Sequence, residues 1–279
     1  MREVKIGAPG YILLNEMAKD MEGTLKRVAA LGFDGIEITG FFGKTAQEIR
    51  KACAKAGIEP FGCFVSATEI LKKEPVTGSG NWGDFACAFV LPGETQREAL
   101  EYLKGIGLEY VGLLTPNVPL TEEMIEDMRQ VSSLVGEYGM KLQYHNHNYE
   151  FINMENGKYR MDLVMESVPE GLLFEPDLGW MEIGGAFGED MIRKYANRIE
   201  IVHLKDYYRM GNPREWNKEY VFRPTGYGCV QWEKLIPLCE ELVKPKWYVT
   251  DHDKSYEGCD IYEELKMSLD FVKNSLRYC

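Results

Sequence analysis

The chain has 279 residues and a formal net charge of −12 at pH 7, with 45% of its residues hydrophobic and 27% charged. This composition is typical of a soluble globular enzyme, and no apolar run approaches the ~20 residues that a membrane-spanning helix needs. The negative charge argues against nucleic acid as a partner, because phosphates are bound by clustered lysine and arginine. The N-terminus shows no signal-peptide core and the seven cysteines contain no CxxC pair, so we expect a cytoplasmic protein with reduced thiols.

Short β-rich segments alternate with amphipathic helical stretches along the whole chain. The first predicted strand is VKIGAP, and seven more end near residues 38, 65, 114, 145, 177, 204 and 251. Most follow a glycine that can close the preceding helix in the left-handed conformation. The intervening helices carry apolar residues at the spacing i, i+3, i+4 and i+7, as in the series Met17, Met21, Leu25 and Val28.

This alternation predicts right-handed βαβ units and a parallel sheet. Eight such units in a chain of this length fit a single-domain (β/α)8 TIM barrel over residues 1–279. A doubly wound open sheet is the alternative, weakened because no strand is followed by a GxGxxG or Walker glycine loop. Residues 72–94 depart from the pattern and are interpreted either as a lid or substrate loop at the catalytic rim or as a plain surface insertion.

All four histidines lie where a predicted strand runs into the loop after it. The C-terminal strand ends form the active-site face of a barrel, so these side chains should meet there. Carboxylates occur in the same loops, and imidazoles together with carboxylates make a metal site. The residues concerned are His145, His147, His203 and His252, with Glu150, Asp177, Asp206, Asp251 and Asp253.

Residues two apart in a strand share a face, which groups the candidates further. His145 and His147 should both point toward the barrel axis. His203 and Lys205 should do the same from the seventh strand, where the imidazole can ligate a metal and the ammonium can stabilise a substrate oxyanion. Asp177 ends an apolar run, so its carboxylate needs either a cation or a role as helix N-cap. Asp206 faces the other way and is predicted either to cap a loop or to bond a ligand residue from behind.

The order HNHNYEF, FEPDLGW and VHLKD, followed by a strand that ends in an acidic residue, resembles the xylose-isomerase-like superfamily of sugar and sugar-phosphate isomerases and epimerases. The segment TGYGCVQW at 225–232 is similar to the element that precedes the eighth strand in such proteins. The resemblance implies a (β/α)8 barrel that holds one divalent cation, with Mn2+ the first choice and Zn2+, Co2+ or Mg2+ as alternatives.

Carried over to this chain, the resemblance implies Asp177 and His203 as metal ligands from the sixth and seventh strands. Asp251 stands where the family usually has glutamate, and serves as ligand or as base. The fifth strand leaves two assignments open. We favour Glu150 as the ligand and His145 as the acid/base, but relatives place a carboxylate ligand where His145 stands. Tyr227 also replaces a common glutamate, so substrate contacts there are expected to differ.

The function implied is a metal-dependent sugar or sugar-phosphate isomerase or epimerase acting through a cis-enediolate. His145 and Asp251 are the candidates for proton transfer, and Lys205 would neutralise the enediolate oxygen. Substrate contacts are assigned to Glu37, His147, Trp180 or Trp82, and His252, with helix capping or salt bridging as the alternative for Glu37.

Two other functions remain open. One is a metal-dependent lyase on the same barrel, acting as a dehydratase or on 3-keto-glycosides, and the other is a non-catalytic sugar-binding protein. The expected partner is a small carbohydrate, without nucleic acid or membrane. The identity of the sugar, its phosphorylation and assembly into a homo-oligomer are left open by the sequence.

Overall fold

The computed structural model describes residues 4–73, 90–152, 154–155, 157–209 and 220–277. Trp82 and most of the predicted lid segment 72–94 lie outside the described residues. The strands are β1 Lys5–Pro9, β2 Gly35–Ile38, β3 Glu59–Val65, β4 Tyr110–Leu113, β5 Lys141–His145, β6 Met154–Glu155, β7 Lys158–Tyr159, β8 Leu172–Glu175, β9 Ile201–Arg209, β10 Tyr220–Arg223 and β11 Trp247–Asp251.

The helices are α1 Leu14–Leu31, α2 Ala46–Ala56, α3 Ala67–Leu71, α4 Gln96–Ile106, α5 Glu122–Glu137, α6 Tyr149–Ile152, α7 Arg160–Ser167, α8 Leu178–Ile183, α9 Gly188–Tyr195, α10 Trp232–Leu242 and α11 Ile261–Leu276. Within the described ranges, no helix is long and apolar enough to cross a membrane.

Eight parallel strands form the barrel that the sequence predicts. Their order is β9-β11-β1-β2-β3-β4-β5-β8, and every neighbouring pair is parallel. Two isolated parallel bridges, Phe174 to Ile199 and Asp177 to His203, join β8 to β9 and close the ring. The prediction of a barrel is therefore confirmed, and the alternative of an open sheet is wrong. Strand β10 extends the sheet beyond β9 as an antiparallel neighbour, and β6 and β7 form a separate hairpin.

Local sequence signals account for the helices around the barrel. Thr45 and Glu48 form a capping box at the start of α2, in which each side chain bonds the backbone N–H of the other residue. Gly32 ends α1 with φ of +100°, the left-handed conformation in which glycine has no Cβ to strain. The predicted apolar faces are the buried ones, because Met17 and Met21 of α1 pack in the main core.

The inside of the barrel changes from apolar to polar along the strand direction. Ile201, His203 and Lys205 alternate along β9, so all three point to the same face of the strand. Trp247, Val249 and Asp251 do the same along β11. The residues nearer the N-terminal strand ends, Ile201, Trp247 and Val249, form a small apolar cluster with Phe61 and Tyr110, in which Phe61 stacks on Trp247 with ring centroids 4.0 Å apart. The polar residues of both series lie at the C-terminal strand ends, where the candidate site was expected. They are His203, Lys205 and Asp251.

Candidate metal centre and active site

Four of the predicted site residues meet at the C-terminal end of the barrel. His145, Asp177, His203 and Asp251 each offer one ligand atom, and these atoms all lie within 4.8 Å of one another. All four side chains are buried. Nδ1 of His203 lies 3.2 Å from Oδ2 of Asp251, and Nε2 of His145 lies 3.9 Å from Oδ2 of Asp177. These residues are hereafter called the outer cluster.

The donor atoms of the outer cluster fit a cation. Oδ2 of Asp177 and Oδ1 of Asp251 are buried and have no hydrogen-bond partner among the described residues. Buried carboxylate oxygens without donors are costly unless a cation compensates them. Two carboxylates and two imidazoles make a ligand set that suits Mn2+ or Zn2+. The other oxygen of Asp177 caps helix α8 by accepting from the N–H of Trp180 at 2.9 Å, so the expected N-cap is confirmed and it leaves Oδ2 facing the outer cluster.

Lys205 lies beside this cluster and is only 1% exposed. Its Nζ is 3.0 Å from Oδ2 of Asp251, 3.3 Å from Oδ2 of Asp177, and bonded to Asp253. Burial would lower the pKa of the ammonium, but the three carboxylates outweigh it and raise the pKa well above its usual range. Lys205 is therefore a fixed positive charge, which favours an electrostatic role over that of a base.

The buried environment shifts the pKa values of Asp177, Asp251 and His145 in different directions. Burial raises the pKa of Asp177 to about 7, against the attraction of Lys205. For Asp251, burial acts in the same direction, but Lys205 and His203 outweigh it and hold the pKa well below its usual range. Burial, followed by the nearby His203 and His147, holds the pKa of His145 well below its usual value. His145 is thus a neutral imidazole, the form that ligates metals.

Glu150, the favoured fifth-strand ligand, does not join the outer cluster. Its Oε1 accepts a hydrogen bond from the hydroxyl of Tyr144 at 2.8 Å, and its Oε2 accepts one from the N–H of His147 at 2.8 Å. The carboxylate is fully buried, and burial raises its pKa to about 7. One oxygen is thus bonded to β5 and the other to the loop after it, because Glu150 lies in the short helix α6. The side chain from this strand that reaches the cluster is His145.

His147 and Trp180, predicted as substrate contacts, lie together at the mouth of the site. The ring of His147 stacks on Tyr149 at 5.2 Å, and its centroid is 5.8 Å from that of Trp180. Trp180 also contacts Tyr220 and Phe222 edge-on, at 5.5 and 5.3 Å. The sequence analysis did not identify these last two residues, which lie on β10, the antiparallel neighbour of β9.

The structure places the other two predicted substrate contacts away from the mouth. His252 is fully buried on the helix side of β11, with Nε2 3.4 Å from Oε2 of Glu264 in α11. The alternation of the strand explains this, because inward Asp251 is followed by an outward residue. Glu37 is fully buried inside the barrel, and its Oε2 is 3.0 Å from Nε2 of His203. Its contact is with an imidazole of the outer cluster.

A buried carboxylate that the sequence analysis did not single out lies next to Glu37. Glu175 is the last residue of β8, and together with Glu37 and His203 it forms a second group whose ligand atoms lie within 4.8 Å of one another. The signal was present in the segment FEPD, because a residue two before the inward Asp177 should share its face. We call Glu37 and Glu175 the inner carboxylates.

Asp206 caps a loop, as predicted from its outward position. Its carboxylate accepts from the N–H groups of Gly226, Gly228 and Val230 and from Nε1 of Trp232. The segment TGYGCVQW is thus folded around one buried carboxylate, which fixes the connection between β10 and α10.

Comparison with known proteins places this architecture in a family. The family model for the xylose isomerase-like TIM barrel matches residues 25–250. An inosose dehydratase of Clostridium perfringens is 24% identical over 219 residues, which cover 73% of this chain and 71% of that protein. A sugar phosphate isomerase/epimerase structure from Parabacteroides distasonis has a TM-score of 0.72 at 19% identity, covering 98% of this chain and 94% of that one.

A 3-keto-D-glucoside 4-epimerase structure from E. coli has a TM-score of 0.65 at 15% identity, covering 98% of this chain and all of that one. Structural likeness at such identities shows the fold alone. The family model, however, spans most of the chain and includes three residues of the outer cluster, His145, Asp177 and His203. The chain belongs to the xylose isomerase-like TIM-barrel family.

Proposed function

We propose that this protein is a divalent-metal-dependent enzyme that isomerises or epimerises a sugar by removing a proton from the carbon next to a carbonyl. The observation that carries the proposal is the outer cluster with Lys205 beside it. Two imidazoles and two carboxylates converge within 4.8 Å at the catalytic face of the barrel, with a buried ammonium 3.0 Å from one of the carboxylates.

The proposed ligands are His145, Asp177, His203 and Asp251, with His145 in place of Glu150. When bound, the cation would act as a Lewis acid, polarising the substrate carbonyl and acidifying the adjacent C–H bond. Mn2+ is the first choice and Zn2+ the second, because the ligand set mixes oxygen and imidazole nitrogen. Oδ1 of Asp251, which is buried and has no hydrogen-bond partner in the part of the chain that the structure describes, supports this assignment.

The chain's own groups would divide the proton chemistry between them. Asp251 is the proposed acceptor of the proton from carbon through Oδ1, which has no hydrogen-bond partner among the described residues. The ammonium of Lys205 would stabilise the negative oxygen that develops on the substrate. His147 lies at the mouth beside Trp180, three strands away around the barrel from Asp251. His147 takes the place of His145 as the proposed partner in proton transfer, and it would act as a neutral imidazole because burial and the charge of Lys205 lower its pKa to about 3.

The aromatic side chains at the mouth suit a carbohydrate substrate. Trp180, Tyr220 and Phe222 contact one another edge-on at 5.3 to 5.5 Å, and Lys205 Nζ lies 5.3 and 5.2 Å from the rings of Trp180 and Phe222. This places an apolar wall directly beside the charged group that would meet the substrate oxygen. The C–H face of a sugar can pack on such a wall while its oxygens turn to the cluster.

The second candidate is a lyase, in which the same enediolate expels a neighbouring hydroxyl or glycosidic group. The similarity to an inosose dehydratase over 71% of that protein favours it. The two candidates share the proton abstraction and differ in the step after it.

The experiment that separates them follows the substrate in D2O by NMR, using protein loaded with Mn2+ and a panel of ketoses and 3-keto-glycosides. Deuterium exchange at carbon with isomeric products, and without elimination, supports the isomerase or epimerase. An unsaturated elimination product supports the lyase. A metal-loaded protein that catalyses neither exchange nor elimination on the panel would contradict both.

A further inference from the structure

The inner carboxylates contact the imidazoles of His145 and His203, the two histidines of the outer cluster. Nε2 of His203 is 3.0 Å from Oε2 of Glu37 and 3.3 Å from Oε1 of Glu175. The second oxygen of Glu175 faces Nδ1 of His145 at 3.7 Å. Each of the two histidines therefore turns one nitrogen toward the outer cluster and the other toward the inner carboxylates.

The inner carboxylates have little else to bind. Both side chains are fully buried, and all four of their oxygens lack a hydrogen-bond partner among the described residues. Room for Glu37 is left by Gly62 of β3, where an added Cβ would come within 3.1 Å of Oε1 of Glu37. Since buried carboxylates need donors, the ring N–H groups of the histidines are the nearest groups that can satisfy them.

The contact of His203 with the two carboxylates has the form of a shared proton donor. Nε2 lies close to an oxygen of each, yet is aligned for a full hydrogen bond with neither. An N–H that points between two acceptors gives this geometry, which is known from bifurcated hydrogen bonds. Nδ1 forms a hydrogen bond with Oδ2 of Asp251 at 3.2 Å, so without a metal both ring nitrogens face carboxylates. A cation in the outer cluster would take the place of the Nδ1 proton, which leaves the remaining ring proton on Nε2 between the inner carboxylates.

We propose that Glu37 and Glu175 are positioning residues that hold the proton of His203 on Nε2, so that the lone pair of Nδ1 faces the outer cluster. Glu175 supports His145 in the same way through Nδ1, leaving Nε2 for the cluster. This inference rests on the proposed function, because the orientation matters only if the outer cluster holds a metal. Carboxylates that accept the second N–H of a ligand imidazole fix its tautomer and strengthen it as a ligand.

The test measures Mn2+ affinity by titration for the wild-type chain, Glu37→Gln and Glu175→Gln. Glutamine keeps the size of the side chain and replaces one acceptor oxygen with an NH2 group, which makes it a poorer acceptor for the ring N–H, so we expect affinity to fall by about 10- to 100-fold in each variant, and further in the double variant. The matched control is Glu264→Gln, another buried glutamate that faces a histidine, His252, outside the cluster. This control should bind Mn2+ like the wild type.

A second measurement uses the wild-type protein alone and does not depend on the variants folding. In Zn2+-loaded, 15N-labelled protein, two-bond 1H–15N correlations should show His203 bound through Nδ1 and protonated on Nε2. Metal on Nε2, or variants that bind Mn2+ as tightly as the wild type, would overturn the inference while leaving the proposed function intact. A wild-type chain that binds no divalent metal would instead remove the proposed function itself.

Discussion

Asp177 and His203 are backbone neighbours across the seam that closes the barrel. They form an isolated parallel bridge, and the N–H of His203 donates to the carbonyl of Pro176 at 2.9 Å. Strand β8 has already ended at Glu175, so this pairing continues the β8–β9 contact just where the outer cluster begins. The two residues that the sequence identified most firmly as ligands are thus brought together by the closure of the fold. A metal bound by both residues would also link β8 to β9, the two strands between which the barrel closes.

The first prediction concerns His203. Replacing it with alanine removes one proposed ligand and the imidazole that contacts both inner carboxylates, so bound metal and activity should be lost together. The metal content of the purified, Mn2+-loaded variant, measured by mass spectrometry, checks this. His252→Ala serves as the control, because His252 is equally buried but faces Glu264. A His203→Ala protein that retains one equivalent of metal would show that His203 is not a ligand.

The second prediction concerns Lys205. Methionine keeps much of the side-chain volume and removes the charge, so Lys205→Met should retain the metal. It should lose on the order of 10² to 10³ in kcat, the usual cost of deleting an electrostatic stabiliser of the transition state. Steady-state kinetics with a metal assay on the same preparation gives both values. Loss of metal in parallel with kcat would mean that the ammonium mainly holds Asp177 and Asp251 in place.

Much of the fold could be predicted because its signals are local. Eight strands, the helix faces and the inward direction of His203 and Lys205 follow from periods of 2 and 3.6 residues, which the chain keeps throughout. The outward, loop-capping position of Asp206 follows from the same alternation. Asp177 as an N-cap is equally local, since the donor it satisfies is three residues away.

The rest depends on how loops turn after the strands end, which periodicity does not encode. Glu150 lies only five residues after His145, yet helix α6 directs its carboxylate to Tyr144 and the backbone of His147. Tyr220 and Phe222 reach the mouth because β10 pairs antiparallel with β9, a long-range contact without a sequence motif. Glu175 was overlooked because its role depends on its contact with the region of Glu37, which is distant in sequence and four strands away around the barrel.

The third prediction compares the two fifth-strand candidates. His145→Gln should weaken Mn2+ binding by at least about 10-fold, because it removes an imidazole from a buried ligand set. Glu150→Gln should bind Mn2+ like the wild type, since the oxygens of Glu150 are occupied by Tyr144 and His147. Titrations of both variants under one set of conditions check the pair. The opposite result would restore Glu150 as the ligand and return His145 to proton transfer.

The last prediction concerns stability and pH, at a carboxylate remote from the site. Asp162 in α7 accepts from Nζ of Lys194 at 2.8 Å and from the hydroxyl of Tyr195 at 2.6 Å. Burial would raise the pKa of this carboxyl, but the two donors outweigh it and hold the pKa below its usual range. A carboxyl with a lowered pKa in the folded state binds its proton more readily when unfolded. Its stabilising contribution is therefore fully present above the unfolded pKa of about 3.9 and is lost as the pH falls through the folded value.

Asp162→Asn should lower the free energy of unfolding near pH 7, because the amide cannot reproduce the charged hydrogen bonds to Lys194 and Tyr195. The gap between wild type and variant should narrow as the pH falls below about 4, where the wild-type carboxyl begins to be protonated on unfolding. Urea denaturation at a series of pH values measures the gap directly. Lys194→Met, which removes the charged donor and leaves the hydroxyl of Tyr195 and the N–H of Tyr159, should reduce the pH dependence in part. A gap that stays constant from pH 7 to pH 3 would mean that Asp162 stabilises the protein by packing and not by its charge.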